Sequence, residues 1–117
     1  MSLIESSSLH LVERFLDLTA YRQSLVASNI ANVDTPGYHT RDIDFRGEMQ
    51  KAISAPETAS RPVPSEVPGL MQRPDGNDVS IDREALALAQ SQIQFRVGVE
   101  LARHEFRLIT TAIQEGK

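Results

Sequence analysis

Apolar residues recur along two stretches of the chain at alternating steps of three and four. In the C-terminal stretch Ile81, Ala85, Leu88, Gln92, Phe95, Val99, Ala102, Phe106, Ile109 and Ile113 follow that step, and all but Gln92 are apolar. This is the 3.5-residue period of a coiled-coil seam. Ser80, or Asp78 just before it, is placed to cap the first turn. Asp82 and Glu84 suit the positive helix N-terminus, and Arg103 and Arg107 come late, where cations are favoured. The spacing predicts a helix over 81–114, roughly 50 Å long at about 1.5 Å per residue. A helix that long needs a long partner in a chain of this size.

The N-terminal stretch supplies one. Leu9, Val12, Leu16, Thr19, Gln23, Val26, Ile30 and Val33 step by three and four, and Leu11, Phe15, Leu18, Arg22 and Leu25 form a second stripe one face over. The C-terminal stretch has its own second stripe in Leu86, Ile93, Val97, Leu101 and Leu108. A helix hairpin needs one seam per helix, so doubled stripes leave apolar surface uncovered in a two-helix monomer. They fit either a wide face in a small bundle or faces that pack against neighbouring subunits. Gly98 interrupts the second helix at a cost of about 1 kcal/mol relative to Ala. It is either tolerated there or marks a close approach by another helix.

Proline placement divides the chain. All six prolines lie between Pro36 and Pro74, five of them within 56–74, which leaves both ends free of helix breakers. The resulting segments are 1–35, an N-terminal helix; 36–78, a Pro-rich loop with room for short strands; and 79–117, a C-terminal helix. The middle reads as extended and poorly self-structured. The fold class expected is mainly α, with long terminal helices pairing as a coiled-coil-like core and an irregular Pro-rich connection.

Composition narrows the chemistry. The 117 residues carry a net charge of −4, no cysteine, no tryptophan and few aromatics, so the core must rest on aliphatic side chains. Disulfides and Cys-based metal sites are excluded. The acidic balance and scattered basic residues argue against nucleic-acid binding. Residues 23–33 are uncharged but too short to span a bilayer, and Met1–Ser6 lacks the basic start and apolar run of a cleaved signal. The glycines are isolated, so no phosphate loop is present, and no Ser sits in a Gly-x-Ser-x-Gly elbow. Glu100 and His104 stand one helical turn apart, and Asp34, His39, Asp42 and Asp44 cluster in sequence. A surface contact explains the first pair, and turn solvation the second group, more simply than a metal does. No catalytic, cofactor-binding or metal-binding set is assigned, and the chain reads as non-enzymatic.

The most informative string is Ser28-Asn29-Ile30-Ala31-Asn32-Val33-Asp34-Thr35-Pro36-Gly37-Tyr38. Physically it stops a helix. Asn32 tolerates the left-handed conformation that ends helices, Thr35 precedes proline, and Pro36-Gly37 suits the centre of a type II turn. As an ordered string it closely resembles the Ser-Asn-Ile-Ala-Asn…Thr-Pro-Gly-Tyr signature of bacterial flagellar rod and hook proteins. Arg41-Asp42-Ile43-Asp44-Phe45 narrows the likeness to the flagellar basal-body proximal rod protein family, the FlgB family. Gly76-Asn77-Asp78-Val79, opening the second helix, is a further match, although such proteins often read Gly-Asn-Asn-Val-Asp where this chain has Gly-Asn-Asp-Val-Ser. The resemblance covers residues 9–45 and 75–115.

That resemblance implies a structural subunit of the drive shaft, whose terminal helices stack with those of neighbours to transmit torque. Implied partners are other rod proteins, the adaptor joining rod to ring, and copies of the same chain. The implied location is the periplasmic rod of the basal body, reached through the flagellar type III export channel without a cleaved signal peptide. Ser28, Asn29, Ile30, Ala31, Asn32, Thr35, Pro36, Gly37 and Tyr38 carry the motif. Leu88, Phe95, Val99, Phe106 and Ile109 are the expected C-terminal assembly seam, facing Val12, Leu16, Val26 and Ile30. A soluble helical adaptor or export chaperone acting as a dimer is the alternative. The Pro-rich insert and the helix-ending string speak against it.

Overall fold

The computed structural model describes residues 3–58 and 60–116; Met1, Ser2, Ala59 and Lys117, which belong to the three segments named above, lie outside the described residues. Helix α1 (Leu3–Ala31) is followed by strand β1 (Arg41–Asp42), helix α2 (Phe45–Ser54) and a single 3-10 turn (Pro56–Thr58). Strand β2 (Ser65–Glu66) and helix α3 (Ile81–Glu115) complete the order. The fold is mainly helical, and the two long helices pack together along an elongated body of 68 × 26 × 17 Å. They run antiparallel: Ser8 Oγ donates to Glu105 Oε1 at 2.7 Å near one end, and Asn29 Nδ2 donates to Glu84 Oε2 at 3.1 Å near the other.

The strip of α3 that meets α1 is not the stripe of large apolar residues. It runs through Glu84, Ala87, Ser91 and Gly98, all buried, and on to half-buried Ala102 and Glu105. Small residues bring the two backbones close, and Gly98 marks the tightest point. A methyl group there would lie 2.6 Å from Leu16 Cδ2 and 3.1 Å from Phe15 Cδ1. Gly98 therefore serves a close approach, by the other helix of the same chain. The buried hydroxyls along the seam are satisfied within their own helices, Thr19 by the Phe15 carbonyl at 2.7 Å and Ser91 by the Ala87 carbonyl at 2.8 Å.

This shifts the internal seam away from the predicted pairing. Val12 and Val26 are buried as expected, and Leu16 sits half-buried against Gly98. Leu88, Val99 and Ile109 are half-buried at the margin of the contact. Phe95, Phe106 and Ile30 are exposed, Phe106 at 58%. The physical reason is size: where helix axes come nearest, Ala, Ser and Gly fit and Phe does not.

The connecting segment also holds more structure than its prolines predict. Asp44 caps α2 by accepting from the Gly47 amide at 3.1 Å. Phe45 then packs edge-on against Phe15 with ring centroids 5.5 Å apart, and Arg14 bonds Glu48 at 3.1 Å. The prolines cluster after α2, where the chain returns as β2 antiparallel to β1, with Arg41 opposite Glu66 and Asp42 opposite Ser65. The Val67 amide donates to the Thr40 carbonyl at 3.0 Å and extends that pairing.

Gly98→Val puts two methyl groups into the contact with Leu16 and Phe15. It should lower the stability of the helix pair by about 2 kcal/mol through overpacking. Urea unfolding followed by circular dichroism measures this, and an unchanged midpoint would contradict the close approach.

Candidate functional site

Helix α1 ends through side-chain bonds. The Asn32 amide donates to the Ser28 carbonyl at 3.1 Å, Asn32 Nδ2 donates to the same carbonyl at 2.8 Å, and Thr35 Oγ1 donates to Asn32 Oδ1 at 3.0 Å. Asn32 does not take the left-handed conformation expected of it, since no non-glycine residue among those described has a positive φ. Thr35-Pro36-Gly37-Tyr38 closes as a turn with a Tyr38 amide to Thr35 carbonyl bond at 3.2 Å, and Gly37 supplies the φ of +75° that the third position of a type II turn requires.

Asn29 is fully buried one turn before this stop. Its Nδ2 donates to the Arg41 carbonyl at 2.9 Å and to Glu84 Oε2 at 3.1 Å. Its Oδ1 accepts from the Arg41 amide at 3.1 Å and from the Tyr38 hydroxyl at 3.0 Å. A primary amide offers two donors and two acceptor positions, so this side chain is saturated. It joins α1, the loop after it and the start of α3 at one point.

A charged chain continues from Glu84, which is also fully buried. Arg83 bonds Glu84 Oε1 at 2.8 Å and Asp42 Oδ2 at 2.8 Å, and Arg22 bonds Asp42 from α1 at 3.2 Å. Burial pulls the Arg83 guanidinium toward neutrality, but its bonds to Asp42 and Glu84 outweigh that and hold it more firmly charged. Two carboxylates thus alternate with two guanidinium groups, and each buried charge has a partner.

The segment before α3 locks onto the same helix end. Asn77, fully buried, donates from Nδ2 to the Asn32 carbonyl at 2.9 Å and the Thr35 carbonyl at 2.8 Å. Those bonds occupy acceptors at a terminus where helix carbonyls lack partners. Arg73 bonds the Val33 carbonyl, and the Gly37 amide donates to the Asp75 carbonyl at 2.9 Å. Gly76, at φ +85°, lies against Gly37, so that a methyl group on it would meet the Gly37 Cα at 3.5 Å. Asp78 accepts from the Thr40 amide at 2.6 Å and lies 3.2 Å from His39 Nδ1. Burial pushes the Asp78 carboxyl up, but the Thr40 amide and the His39 ring outweigh it and hold the group below its ordinary value of 3.8.

Of the motif residues, Asn29, Asn32, Thr35 and Tyr38 meet in this joint, whereas Ser28, Ile30, Ala31 and Pro36 face outward. The acidic residues that clustered in sequence are placed separately: Asp42 between two arginines, Asp44 at the α2 cap, His39 on Asp78. Glu84, Arg83 and Arg22 are members of the joint that sequence reasoning did not assign. Glu84 lies on the small-residue strip continued by Ala87, Ser91 and Gly98, but no spacing marks its burial or its arginine partners. The joint contains no open cleft beside a reactive group, and its chemistry is that of a fastener.

A family model described as flagella basal body rod protein matches residues 16–39, the stretch that ends α1 and holds Asn29 and Tyr38. The chain is 30% identical to the flagellar basal body rod protein FlgB of Salmonella typhimurium, over 94% of this chain and 95% of that one. It is 29% identical to FlgB of Escherichia coli over the same shares, and 28% identical to FlgB of Borrelia hermsii over 92% of this chain and 96% of that one. The chain belongs to the FlgB family of flagellar basal body rod proteins. It is a structural rod subunit by family, and the adaptor or chaperone alternative is not favoured. The joint ties the two long helices of this rod subunit to the loop between them.

Two outcomes follow from this geometry. Asn29→Ala leaves the buried Glu84 carboxylate, the Tyr38 hydroxyl and the Arg41 peptide short of partners, and should destabilise the fold by about 2–3 kcal/mol in urea unfolding. The second concerns acid. With its carboxyl lowered in the native state, the unfolded chain binds that proton more readily, so stability rises with pH across this window. The contribution is complete above about pH 5 and is lost as pH falls through the lowered native value. Asp78→Asn should flatten this part of the acid-unfolding curve, measured by circular dichroism, while leaving its neutral-pH slope unchanged.

Proposed function

We propose that this subunit works mechanically, as one stave of the proximal rod, and that its exposed helix flanks are where torque passes between subunits. One observation carries the reading. α3 pairs with α1 along a strip of small and polar residues, and the large apolar residues on both sides of that strip remain open. Phe95, Phe106 and Ile113 lie on one flank; Leu86, Ile93, Val97, Leu101 and Leu108 lie on the other. At about 100° per residue the two flanks point in roughly opposite directions from the helix axis. A monomer has no use for two such surfaces, whereas a subunit packed on several sides does.

The neighbours are other rod proteins, the adaptor joining rod to ring, and further copies of this chain. No nucleic acid is involved, no reaction is catalysed, and no cofactor is needed. The setting is the periplasmic part of the basal body, with delivery through the flagellar type III channel. Two features support that route: the core is small, built on a few aliphatic residues such as Val12, Leu18 and Val26, and the chain lacks disulfides that would resist unfolding. Among the described residues no helix is long and apolar enough to cross a membrane. The motif residues Asn29, Asn32, Thr35, Pro36, Gly37 and Tyr38 hold the path from helix to loop. Phe95, Phe106 and, at the margin, Leu88, Val99 and Ile109 are offered to neighbours.

Phe106→Asp places a charge on an exposed flank and leaves the internal seam intact. Expression and monomer helicity should match the parent chain, while rod assembly and swimming are lost; Ile113→Asp, on the same exposed flank, should behave alike. Normal motility in both variants overturns the assignment of this flank. Site-specific crosslinking in purified basal bodies provides the direct check, with links to rod or ring proteins expected.

A further inference from the structure

The face of α1 turned away from α3 carries a groove that nothing among the described residues fills. It has a volume of about 590 Å³ and lies between the first half of α1 and the end of α2. Its apolar floor comes from Leu11, Ala52, Ile53 and Pro56, with Ile53 64% exposed. Its rim carries three carboxylates, Glu13, Asp17 and Glu57, with the His10 ring 3.8 Å from Glu13. The rim cation Arg14 is already held by Glu48 at 3.1 Å and by the Ser60 carbonyl at 2.8 Å.

The complementary surface lies on the same molecule. Val97, Leu101 and Leu108 form an exposed ridge on α3. A shallow hollow of about 400 Å³ beside it is lined by Arg96 and Arg107 together with Val97 and Leu101. Glu100, in the same hollow, is taken up by Arg103 at 2.8 Å. Among the described residues Arg96 and Arg107 make no ion pair. An apolar ridge beside two unpaired guanidinium groups thus matches an apolar groove with an acidic rim, in charge as well as in surface character.

We propose that copies of this chain join head to tail, with the Val97–Leu101–Leu108 ridge of one subunit seated in the α1/α2 groove of the next. This rests on the rod reading and names a contact which that reading leaves open. The height of the two surfaces supports it. Ser8 touches Glu105, and Leu16 and Phe15 abut Gly98, so groove and ridge lie at the same level along the molecule. Two copies lying side by side bring them together with little axial shift. α1 is then held between its own α3 and that of its neighbour. Because groove and ridge are different surfaces, each added copy exposes a fresh one, and association does not stop at a dimer. The opposite flank, with Phe95 and Phe106, stays open for neighbours of another kind.

The chain has no cysteine, so introduced thiols are unique. Ile53→Cys and Leu101→Cys chains are purified separately and treated with a short bis-maleimide, alone and mixed. The mixture should give a crosslinked pair in large excess over the homodimers of either chain alone. Glu13→Lys with Asp17→Lys on the Ile53→Cys chain should cut that yield about tenfold, and Arg96→Glu with Arg107→Glu on the other chain should restore it. Comparable homodimer yields from the single chains, no crosslinked pair at any concentration, or a yield indifferent to the charge exchange would each overturn the proposal. In assembled basal bodies, a crosslink from residue 53 to a protein other than this chain overturns it too. That last result would leave the chain in the rod, so the failure of this contact is distinguishable from failure of the rod reading.

Discussion

The saturated Asn29 side chain is the interaction on which the other contacts depend. A buried primary amide is stable only if all its hydrogen-bonding capacity is met, and here its four bonds go to Tyr38 and Arg41 in the loop after α1 and to Glu84 on α3. The loop after α1 must return close enough to present both the amide and the carbonyl of Arg41. The start of α3 must present Glu84 to the same point. Once Glu84 is drawn out of water, Arg83 must accompany it, and Asp42 and Arg22 follow because Arg83 also needs company. Asn77 and Asp78 then close the far side, so two strings almost fifty residues apart in sequence become one joint. The ends of the long helices are thus tied here by a polar fastener, apart from the aliphatic core.

That arrangement explains why the internal seam is made of small residues. With the helix ends fixed by the joint, α3 lies against α1 along the strip that continues from Glu84, one turn at a time. Ala87, Ser91 and Gly98 occupy it because only small groups allow that approach. The large residues are left on the two flanks. A globular domain of this length would bury Phe95, Phe106 and Leu101, and this one shows them to solvent. The inversion is what a part needs when its largest hydrophobic contacts are made with neighbours.

The sequence was legible where a period or an ordered string carries the information. Alternating three- and four-residue steps gave both long helices and their pairing, because amphipathic spacing is a local property that survives in any context. Ser80 capping α3 and the Pro36-Gly37 turn were readable for the same reason. The internal seam lies one strip away from the largest apolar residues, because the nearest contact takes Ala, Ser and Gly and leaves Phe95 and Phe106 exposed. Helix α2 was hidden by the prolines that follow it: its cap at Asp44 is local, but its anchor, Phe45 on Phe15, is a contact thirty positions away in sequence. Glu84 was readable only as a favourable charge at a helix start. Its burial against Asn29 is a fact of three dimensions, which no spacing rule encodes.

Stability in such a subunit cannot be assigned to the chain alone. The polar joint fixes geometry but adds little net free energy, because each hydrogen bond in it replaces one to water. The aliphatic core is small, and the flanks that hold most of the large apolar surface contribute only when covered. Association therefore supplies stabilisation that folding does not, and the folded fraction rises with the concentration of whatever covers the flanks. On the proposed rod reading, a chain built this way is marginal while alone and stabilised when stacked. Both behaviours come from one choice in the sequence, which places Gly, Ala and Ser inside the hairpin and Phe, Leu and Ile on its outside.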